Sequence, residues 1–285
     1  MFSGIIRPSS DTTKTLIEIS DCIQLHGISV VVVDTRHQKL VQVIPELYKF
    51  ALSGVLFFDV SKMYESIFDR VPLSLVGQTW FIENMSSVAP KFVYDNLKRI
   101  FDIVVSFIFG IISLIIYPFV IIVIKIEDEG DIFSYQERIG QNNKIVRIIK
   151  FRTMTIGNDS AKWGKVANKV TKVGSFLRKT RIDELPQLWN VVKGDVSLIG
   201  PRPEFPDPVK HYAEEIPYYN IRHVIKPGLS GWAQIYGEHP HHGIGVEETR
   251  NKLSYDLYYI KHRSFLLDLK IALRTIKVLI TFVGR

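Results

Sequence analysis

A single cysteine, Cys22, is present among the 285 residues of the sequence. One cysteine cannot form an intramolecular disulfide, and it cannot form a zinc site with several cysteine ligands. A disulfide-stabilised domain and a cysteine-ligated zinc domain are therefore both excluded. Hydrophobic residues make up 46% of the chain and aromatic residues 12%, which excludes a disordered or collagen-like chain. The composition predicts one or two packed domains on the reducing side of a membrane.

Acidic residues are in the minority, with 29 Asp and Glu against 36 Lys and Arg and a net charge of +7. Residues 1–99 contain ten of each sign, so the whole positive excess lies in residues 100–285. Positive charge attracts the phosphates of nucleic acid, anionic lipid or nucleotide, and composition leaves these alternatives open. Nucleic acid is disfavoured as a partner because no nucleic-acid-binding motif accompanies the charge.

The longest run without a charged residue is the apolar segment Ile103–Ile124, of 22 residues. At about 1.5 Å per residue, a helix of this length crosses a hydrocarbon core of roughly 30 Å. A spanning helix is one interpretation. Pro118 favours another, a helix that bends there and returns to the same face, because proline bends a helix. Basic residues flank both ends, Lys98 and Arg99 before and Lys125 after, so both ends can lie on the cytoplasmic face.

The carboxy-terminal segment from Ser264 has apolar residues at helical spacing, at Leu266, Leu269, Leu273, Ile276 and Ile280. Charged residues such as Asp268 interrupt the segment too often for a membrane span. A single apolar face is typical of a core-packing helix or of an interfacial helix in the headgroup region. We favour the interfacial helix.

In the amino-terminal part, short apolar β-branched runs alternate with a helical pattern. This pattern predicts a strand at Ile28–Asp34, a helix at Leu40–Leu52 and a strand at Gly54–Val60. This order is typical of a parallel α/β sheet. We therefore expect a small, partial Rossmann-like domain over residues 1–90. No GxGxxG turn follows either strand, so no cofactor is assigned there, and a docking or regulatory role is predicted.

The segment Phe133–Met154 predicts two strands around a polar turn at residues 140–144. It includes the basic residues Arg138, Lys150 and Arg152. Taken alone, basic groups near a membrane segment indicate a solvated patch facing lipid headgroups.

A helix is predicted within Val173–Pro203, because Pro186 suits a first turn and Gly194 suits the position after a helix end. Asp183 and Glu184 then lie at its N-terminus. One interpretation is a capping pair that compensates the helix dipole.

The other interpretation is a phosphate site, in which Arg178, Lys179, Arg181 and Arg202 collect phosphate beside an ionised carboxylate. A carboxylate among arginines is expected to keep a low pKa and to attack phosphorus, giving an acyl phosphate. Magnesium suits such a site because it screens the repulsion between carboxylate and diphosphate.

Six motifs and the proline-interrupted apolar helix occur in order along residues 95–285. The motifs are Lys98-Arg99-x-x-Asp102, Gln136-x-Arg138-x-Gly140, Lys150-Phe-Arg-Thr-Met154, Asp183-Glu-Leu-Pro-Gln187, Gly200-Pro-Arg-Pro203 and Pro227-Gly-x-Ser-Gly231. Together they resemble the bacterial sugar transferase family, the monotopic polyprenyl-phosphate phosphoglycosyl transferases. The resemblance implies an α-rich monotopic catalytic domain over residues 95–285 that follows the small α/β domain. It also implies that residues 100–126 form the family's re-entrant membrane helix, bent at Pro118.

The resemblance implies transfer of a sugar 1-phosphate from a UDP-sugar to polyprenyl phosphate, with release of UMP. It implies that Asp183 is the nucleophile and that Glu184 assists magnesium binding or proton handling, with both carboxylates as candidate Mg²⁺ ligands. The predicted substrate-phosphate residues are Arg178, Lys150, Arg152, Arg202 and Gln187, and the predicted membrane residues are Pro118, Lys98 and Arg99.

The expected location is the cytoplasmic face of a bacterial inner membrane, at the first step of exopolysaccharide or lipopolysaccharide assembly. Expected partners are the bilayer, UDP-sugar, polyprenyl phosphate, downstream glycosyltransferases and a second copy in a homodimer. The sugar stays open. The alternative is a catalytically weak scaffold that docks glycosyltransferases through residues 1–90.

Two departures from the family pattern are present. The chain resembles a shortened form of the longer members, because their several spanning helices do not precede residues 1–90. Tyr236-Gly-Glu238 stands where many members have Asn-Gly-Arg, so sugar or nucleotide recognition is expected to differ. The nearby histidines at 239, 241 and 242 are weak evidence for a metal site. Aromatic residues such as Trp232 and Tyr258 suit either a core or a sugar-stacking surface.

Overall fold

The computed structural model of the protein describes residues 4–7, 11–35, 37–41, 43–75, 80, 84, 91–127, 129–155, 169–236 and 245–281. The chain divides into two units, Met1–Val76 and Gly77–Arg285. Helices and strands occur in both units, which confirms the predicted mixed α/β class.

The amino-terminal unit has α1 Thr12–His26, β1 Val30–Val33, α2 Gln38–Val41, α3 Ile44–Leu52, β2 Leu56–Asp59 and α4 Val60–Phe68. The strands β1 and β2 pair in parallel, with Val31 opposite Phe57, so the predicted order and pairing are confirmed. The prediction of one helix over Leu40–Leu52 is wrong. Pro45 has no N–H to continue a helix, and it lies at the start of α3 as a separate helix.

The carboxy-terminal unit begins with α5 Phe92–Ser113 and α6 Tyr117–Glu127, which bend by 58° at the break between them. The break directly precedes Pro118, whose ring and missing N–H oppose continuation of α5. In the described part of the chain, no single helix is long and apolar enough to cross a membrane, but this bent pair passes by length and composition.

Both ends of the bent pair are bound by other elements of the same unit. Near the first end, Arg99 Nη1 donates to the carbonyl oxygen of Val191 at 2.6 Å. At the second end, the Glu127 carboxylate accepts from the backbone N–H of Lys172 at 2.8 Å. Both ends of the bent pair are therefore held by the same unit.

The remaining elements are β3 Phe133–Ile139, β4 Ile145–Phe151, α7 Lys172–Thr180, α8 Gln187–Lys193, β5 Ser197–Ile199, α9 Pro206–Glu215, β6 Gly228–Ser230, α10 Trp232–Ile235, α11 Val246–His262 and α12 Phe265–Thr281. The strands β3 and β4 form the predicted antiparallel hairpin around a polar turn, and β5 and β6 pair in parallel.

Two faces of the bent pair pack on the rest of the unit. Gly110 of α5 lets α8 approach closely, because a side-chain carbon at that position would lie 3.3 Å from the Trp189 ring. On α6, Val120 is buried in a cluster with Phe151 and Leu177. The bent pair thus fixes α8, the end of β4 and α7, which are the elements around Asp183.

The predicted carboxy-terminal helix is present as α12, with Leu266 and Leu273 exposed by 81% and 59%. Asp268, which interrupts its apolar pattern, is buried. The Asp268 carboxylate accepts hydrogen bonds from Lys98 Nζ at 2.9 Å and from the Tyr259 hydroxyl at 2.7 Å. Asp268 therefore joins α12 to α5 and α11, while the leucines stay at the surface.

Candidate active site

The two adjacent carboxylates lie on a short 3₁₀ helix, Ile182–Glu184, between α7 and α8. Arg181 ends α7 in the left-handed conformation, with φ of 59°, and this turns the chain into the 3₁₀ helix. Pro186 then precedes α8, and Gly194 ends it with φ of 99°, as the sequence predicts. Asp183 and Glu184 are thus placed at the N-terminal approach to α8.

Glu184 Oε1 is surrounded by three cations from three parts of the chain. Lys150 Nζ of β4 lies at 3.1 Å, and the guanidiniums of Arg181 and Arg202 both lie at 3.5 Å. Although burial opposes ionisation, these positive charges lower the pKa of Glu184 to about 2. Glu184 therefore stays ionised at neutral pH and gathers cations that can also face phosphate.

Asp183 has the opposite environment. Its side chain is buried, and Oδ1 has no hydrogen-bond partner among the described residues. Burial, together with the charge of Glu184, raises the pKa of Asp183 to about 6. The sequence-based expectation of a low pKa is wrong for Asp183, because the cations contact Glu184 instead. Asp183 remains largely ionised at pH 7, with one oxygen available for bonding.

Arg178 is fixed beside this pair by its contact with β4. Its Nε donates to Thr153 Oγ1 at 2.9 Å. The contact requires α7 to pack directly on the chain after β4, and Gly174 permits this. A side-chain carbon at Gly174 would lie 2.0 Å from the Thr153 carbonyl oxygen.

Gln187 begins α8 one turn after Asp183, and its side chain is buried. Within the described residues, its Nε2 has no hydrogen-bond partner. A buried amide donor without a partner costs free energy, about 1–3 kcal/mol, unless a ligand accepts its hydrogen bond. Gln187 and Asp183 therefore both present unused polar atoms in the site region.

Arg152 follows β4 and is half-buried. Its backbone N–H donates to the carbonyl oxygen of Ile132 at 2.9 Å, which extends the hairpin past its last paired residues. The structure thus brings Lys150, Arg178 and Arg202 to the carboxylates, and the main chain of Arg152 extends the hairpin.

Asn190 is a residue that the sequence reasoning did not single out. Its Oδ1 accepts from the N–H of Ile149 at 3.0 Å, and its Nδ2 donates to the carbonyl oxygen of Arg147 at 2.8 Å. The amide therefore pairs with β4 as a neighbouring strand would, and it holds α8 against the strand that carries Lys150. In the sequence, Asn190 could have been noticed as a polar residue between apolar residues of α8.

A buried ionic cluster lies behind the segment that carries Arg202. Glu204 binds Arg222 at 2.8 Å and also contacts Lys252, while Arg222 Nη2 lies 2.7 Å from Asp256. Arg222 also donates to the carbonyl oxygen of Arg202 at 3.1 Å. The sequence reasoning missed this cluster. It anchors the irregular segment 200–205 between β5 and α9, through the side chain of Glu204 and the main-chain carbonyl of Arg202.

Comparison with known proteins shows that residues 93–282 match the model of the bacterial sugar transferase family. The chain belongs to the bacterial sugar transferase family. This family assignment confirms the resemblance seen in the sequence motifs.

Several members of the family are similar to this chain. An Aeromonas hydrophila protein named UDP-N-acetylgalactosamine-undecaprenyl-phosphate N-acetylgalactosaminephosphotransferase is 36% identical over 243 residues, covering 84% of this chain and 55% of that protein. The sugar transferase EpsL of Bacillus subtilis, named as uncharacterized, is 41% identical over 188 residues, or 65% of this chain and 88% of EpsL. A Klebsiella pneumoniae UDP-glucose:undecaprenyl-phosphate glucose-1-phosphate transferase is 38% identical over 185 residues, or 63% and 39%.

The chain therefore spans about half the length of the Aeromonas relative and less of the Klebsiella relative. The Aeromonas match is longer than the region after residue 93, so it extends into the amino-terminal part. Of the departure Tyr236-Gly-Glu238, Tyr236 is described and its ring stacks on Tyr255 with centroids 5.0 Å apart. Glu238 and the three histidines at 239, 241 and 242 lie outside the described residues.

Proposed function

We propose that the protein transfers a sugar 1-phosphate from a UDP-sugar to polyprenyl phosphate, with Asp183 as the nucleophile. The observation that carries the proposal is the contrast between the two carboxylates. Glu184 binds three cations, while Asp183 Oδ1 is buried with no hydrogen-bond partner in the described part of the chain. The names of the Aeromonas and Klebsiella relatives support the reaction.

In the first step, an Asp183 carboxylate oxygen attacks the phosphorus atom that carries the sugar. The bond between this phosphorus and the bridging oxygen breaks, and UMP leaves with the electron pair. The product is an acyl phosphate that joins Asp183 to the sugar phosphate. Lys150 and Arg202 neutralise phosphate charge during the attack, which would otherwise repel the carboxylate.

In the second step, an oxygen of polyprenyl phosphate attacks the same phosphorus atom. The bond to Asp183 breaks, the carboxylate is regenerated, and polyprenyl-diphosphate-sugar is released. An ionised phosphate oxygen needs no base to remove a proton. The low pKa of Glu184 suits this course, since Glu184 organises cations and is a poor proton acceptor at neutral pH.

Magnesium fits the site through Asp183. In the described residues, no group of three or more His, Cys, Asp or Glu side chains could hold a metal ion. Mg²⁺ commonly takes one or two protein carboxylates and completes its shell with phosphates and water. Asp183 can contribute the carboxylate oxygen that does not attack phosphorus, whereas Glu184 Oε1 already binds three cations. When bound, Mg²⁺ supplies charge screening for the diphosphate.

The membrane proposal is a re-entrant helix pair on the cytoplasmic side of a bacterial inner membrane. The apolar part of α5 between Asp102 and the bend is about 16 Å long, near half of a hydrocarbon core of roughly 30 Å. Asp102 itself is buried and accepts a hydrogen bond from Ser197 Oγ at 2.6 Å. Since Arg99 and Glu127 tie both ends to one unit, a bend that enters and returns is better supported than a span.

The amino-terminal unit is proposed as a partial Rossmann-like domain that docks partners. Its parallel β1 and β2 with α1, α3 and α4 support this fold. Downstream glycosyltransferases, or a second copy of the chain in a homodimer, are the proposed partners of this unit. The proposed pathway step is the first sugar transfer of exopolysaccharide or lipopolysaccharide assembly.

UMP release by the purified protein in lipid nanodiscs tests the function. The assay uses undecaprenyl phosphate, Mg²⁺ and a panel of UDP-N-acetylgalactosamine, UDP-glucose and UDP-galactose. We expect release with one donor, and we expect Asp183→Asn to abolish it. Asp207→Asn, an exposed aspartate on α9, is the matched control.

Without the acceptor, one equivalent of UMP should appear and a sugar phosphate should be found on Asp183 by mass spectrometry. Full activity of Asp183→Asn would reject the covalent mechanism. No release with any donor would favour the scaffold interpretation.

A further inference from the structure

Arg138, at the end of β3, is a buried arginine whose charge no carboxylate neutralises by direct contact. Its side chain is 9% exposed, and among the described residues no Asp or Glu oxygen lies within ion-pair distance of its guanidinium. Burial, together with the charge of Arg202, lowers the pKa of Arg138 to about 9, so it stays charged at neutral pH. Burying a charge without an ion-pair partner costs free energy, so the remaining contacts of Arg138 have to offset that cost.

Arg138 contacts the irregular segment 200–205, which contains Arg202, and is held by a neighbour on its own strand. The Arg138 guanidinium carbon lies 3.3 Å from the centroid of the Phe205 ring, and Nη1 donates to the Pro203 carbonyl oxygen at 3.5 Å. Nη2 donates to Gln136 Oε1 at 2.8 Å, which fixes the plane of the guanidinium. The neighbouring N–H of Ile139 donates to the Glu204 carbonyl oxygen at 2.8 Å.

This segment has no regular secondary structure of its own. It follows β5 and precedes α9, and Arg202 within it reaches Glu184 Oε1 at 3.5 Å. The cluster around Arg222 holds one side of the segment, and Arg138 holds the side toward the hairpin. Arg138 stacks on Phe205 and donates hydrogen bonds from two different nitrogens, and this combination needs a planar guanidinium, which lysine lacks.

We propose that Arg138 is a positioning residue that holds Arg202 on Glu184 and thereby sets the phosphate site. Arg138 and Lys150 extend from the same face of the β3–β4 hairpin, since Arg138 pairs with Val146 and Lys150 with Ser134. The hairpin therefore presents Lys150 to Glu184 directly, and it places Arg202 beside Glu184 through Arg138. This inference rests on the proposed transferase function.

A double-mutant cycle in the UMP-release assay tests the inference. Arg138→Met and Arg202→Met are measured singly and together. We expect Arg138→Met to lower kcat/KM for the UDP-sugar by about 10- to 100-fold, because small displacements of a positioned group have effects of this size. We expect the same division between kcat and KM as for Arg202→Met, and no further loss in the double variant.

Two other variants separate positioning from charge. Arg138→Lys keeps the charge and should not restore activity, while Phe205→Leu keeps Arg138 and should reproduce much of the loss. Arg147→Met, on the exposed face of the same hairpin, is the matched control and should stay active. Thermal unfolding of each variant identifies any that fail to fold.

Multiplicative losses in the double variant, or full activity of Arg138→Lys, would overturn the positioning role. Both comparisons require a wild-type protein with measurable activity. A wild-type protein without activity toward any donor would instead remove the proposed function, and this inference with it.

Discussion

Arg99 Nη1 binds the carbonyl oxygen of Val191 at 2.6 Å, and thereby connects the bent helix pair to the end of α8. Its Nη2 donates to the next carbonyl oxygen, of Val192, at 2.8 Å. Carbonyl groups in the last turn of a helix have no partner within the helix, and a cation there also compensates the helix dipole. Because α8 begins just after Asp183, Arg99 links α5 to the segment that carries the candidate nucleophile.

Arg99→Met should destabilise the protein by about 3 kcal/mol, since hydrogen bonds from a charged group contribute about 1.5–3 kcal/mol each. UMP release should fall with it. The control is Lys193→Met, which also removes a cation from the last turn of α8, but one whose side chain is exposed and pairs only with Asp195 in the described part of the chain. Thermal unfolding in detergent measures both. Equal stability of the two variants would show that Arg99 does not hold α8.

The pH dependence of activity should follow the ionisation of Asp183. Its pKa is raised to about 6, so the reactive carboxylate is lost as the pH falls through 6. We expect kcat/KM for the UDP-sugar to decline below about pH 6. The free-enzyme profile is measured from pH 5 to pH 8.

Glu184→Gln tests the cause of this pKa. The charge of Glu184 raises the pKa of Asp183, so its removal should move the acidic limb to lower pH. If the acidic limb of the kcat/KM profile lies at the same pH in Glu184→Gln as in the wild type, the pH dependence belongs to a group other than Asp183.

Gly174→Ala should impair both packing and activity. The added carbon would lie 2.0 Å from the Thr153 carbonyl oxygen, so α7 must shift away from β4. The shift separates Arg178 from Thr153, and overpacking typically costs about 1–3 kcal/mol. Gly245→Ala is the control, since nothing lies within 4 Å of its added carbon. Unfolding midpoints and UMP release would both have to be unchanged in Gly174→Ala to contradict the prediction.

Glu204→Gln should strongly destabilise the fold. Despite its burial, Arg222 and Lys252 hold the pKa of Glu204 well below its usual range. A lowered carboxyl pKa contributes stability at neutral pH that is lost as the pH falls below the ordinary value near 4.5. Breaking one partner of a buried pair typically costs about 3–5 kcal/mol.

Denaturant unfolding of Glu204→Gln at pH 7 measures this loss, with the exposed Glu214→Gln on α9 as control. The variant should also show a weaker dependence of stability on pH between pH 5 and pH 3. Wild-type stability in Glu204→Gln would mean that the cluster contributes nothing net.

The exposed leucines of α12 should contribute to membrane binding. Leu266→Gln with Leu273→Gln should weaken binding to anionic liposomes by at least about tenfold, since burying a leucine contributes about 1.5–3 kcal/mol. The control pair, Leu25→Gln and Leu52→Gln, changes leucines that are exposed by 79% and 73% in the amino-terminal unit. Flotation with liposomes measures binding, and equal effects of both pairs would argue against an interfacial α12.

Local patterns in the sequence were sufficient for several elements. The hairpin around residues 140–144, the start of α8 near Pro186 and its end at Gly194 were all predicted correctly. These features depend on strand propensity and on residues with special backbone preferences, which act over a few neighbours. The motifs also identified the family and the carboxylate pair.

The distribution of charge within the site was decided only by the tertiary structure. The sequence predicted a low pKa for the attacking carboxylate, but Lys150, Arg181 and Arg202 converge on Glu184, and Asp183 is buried beside it with a raised pKa. Electrostatic interactions depend on distance and burial, which adjacent positions in a sequence do not reveal. Likewise, Lys98 and Arg99 flank an apolar segment in the sequence, yet in the structure they bind Asp268 and α8.

The sequence by itself thus determined the β3–β4 hairpin and the limits of α8, the apolar segment with its bend near Pro118, and the presence of an Asp-Glu pair among basic residues. The tertiary structure decided which carboxylate is free and which is bound, and which basic residues face the site or hold it in place. The reason is that the groups around Glu184 and behind Arg202 come from β3, β4, the end of α7 and α11. Only folding brings residues so far apart in the chain within hydrogen-bonding distance.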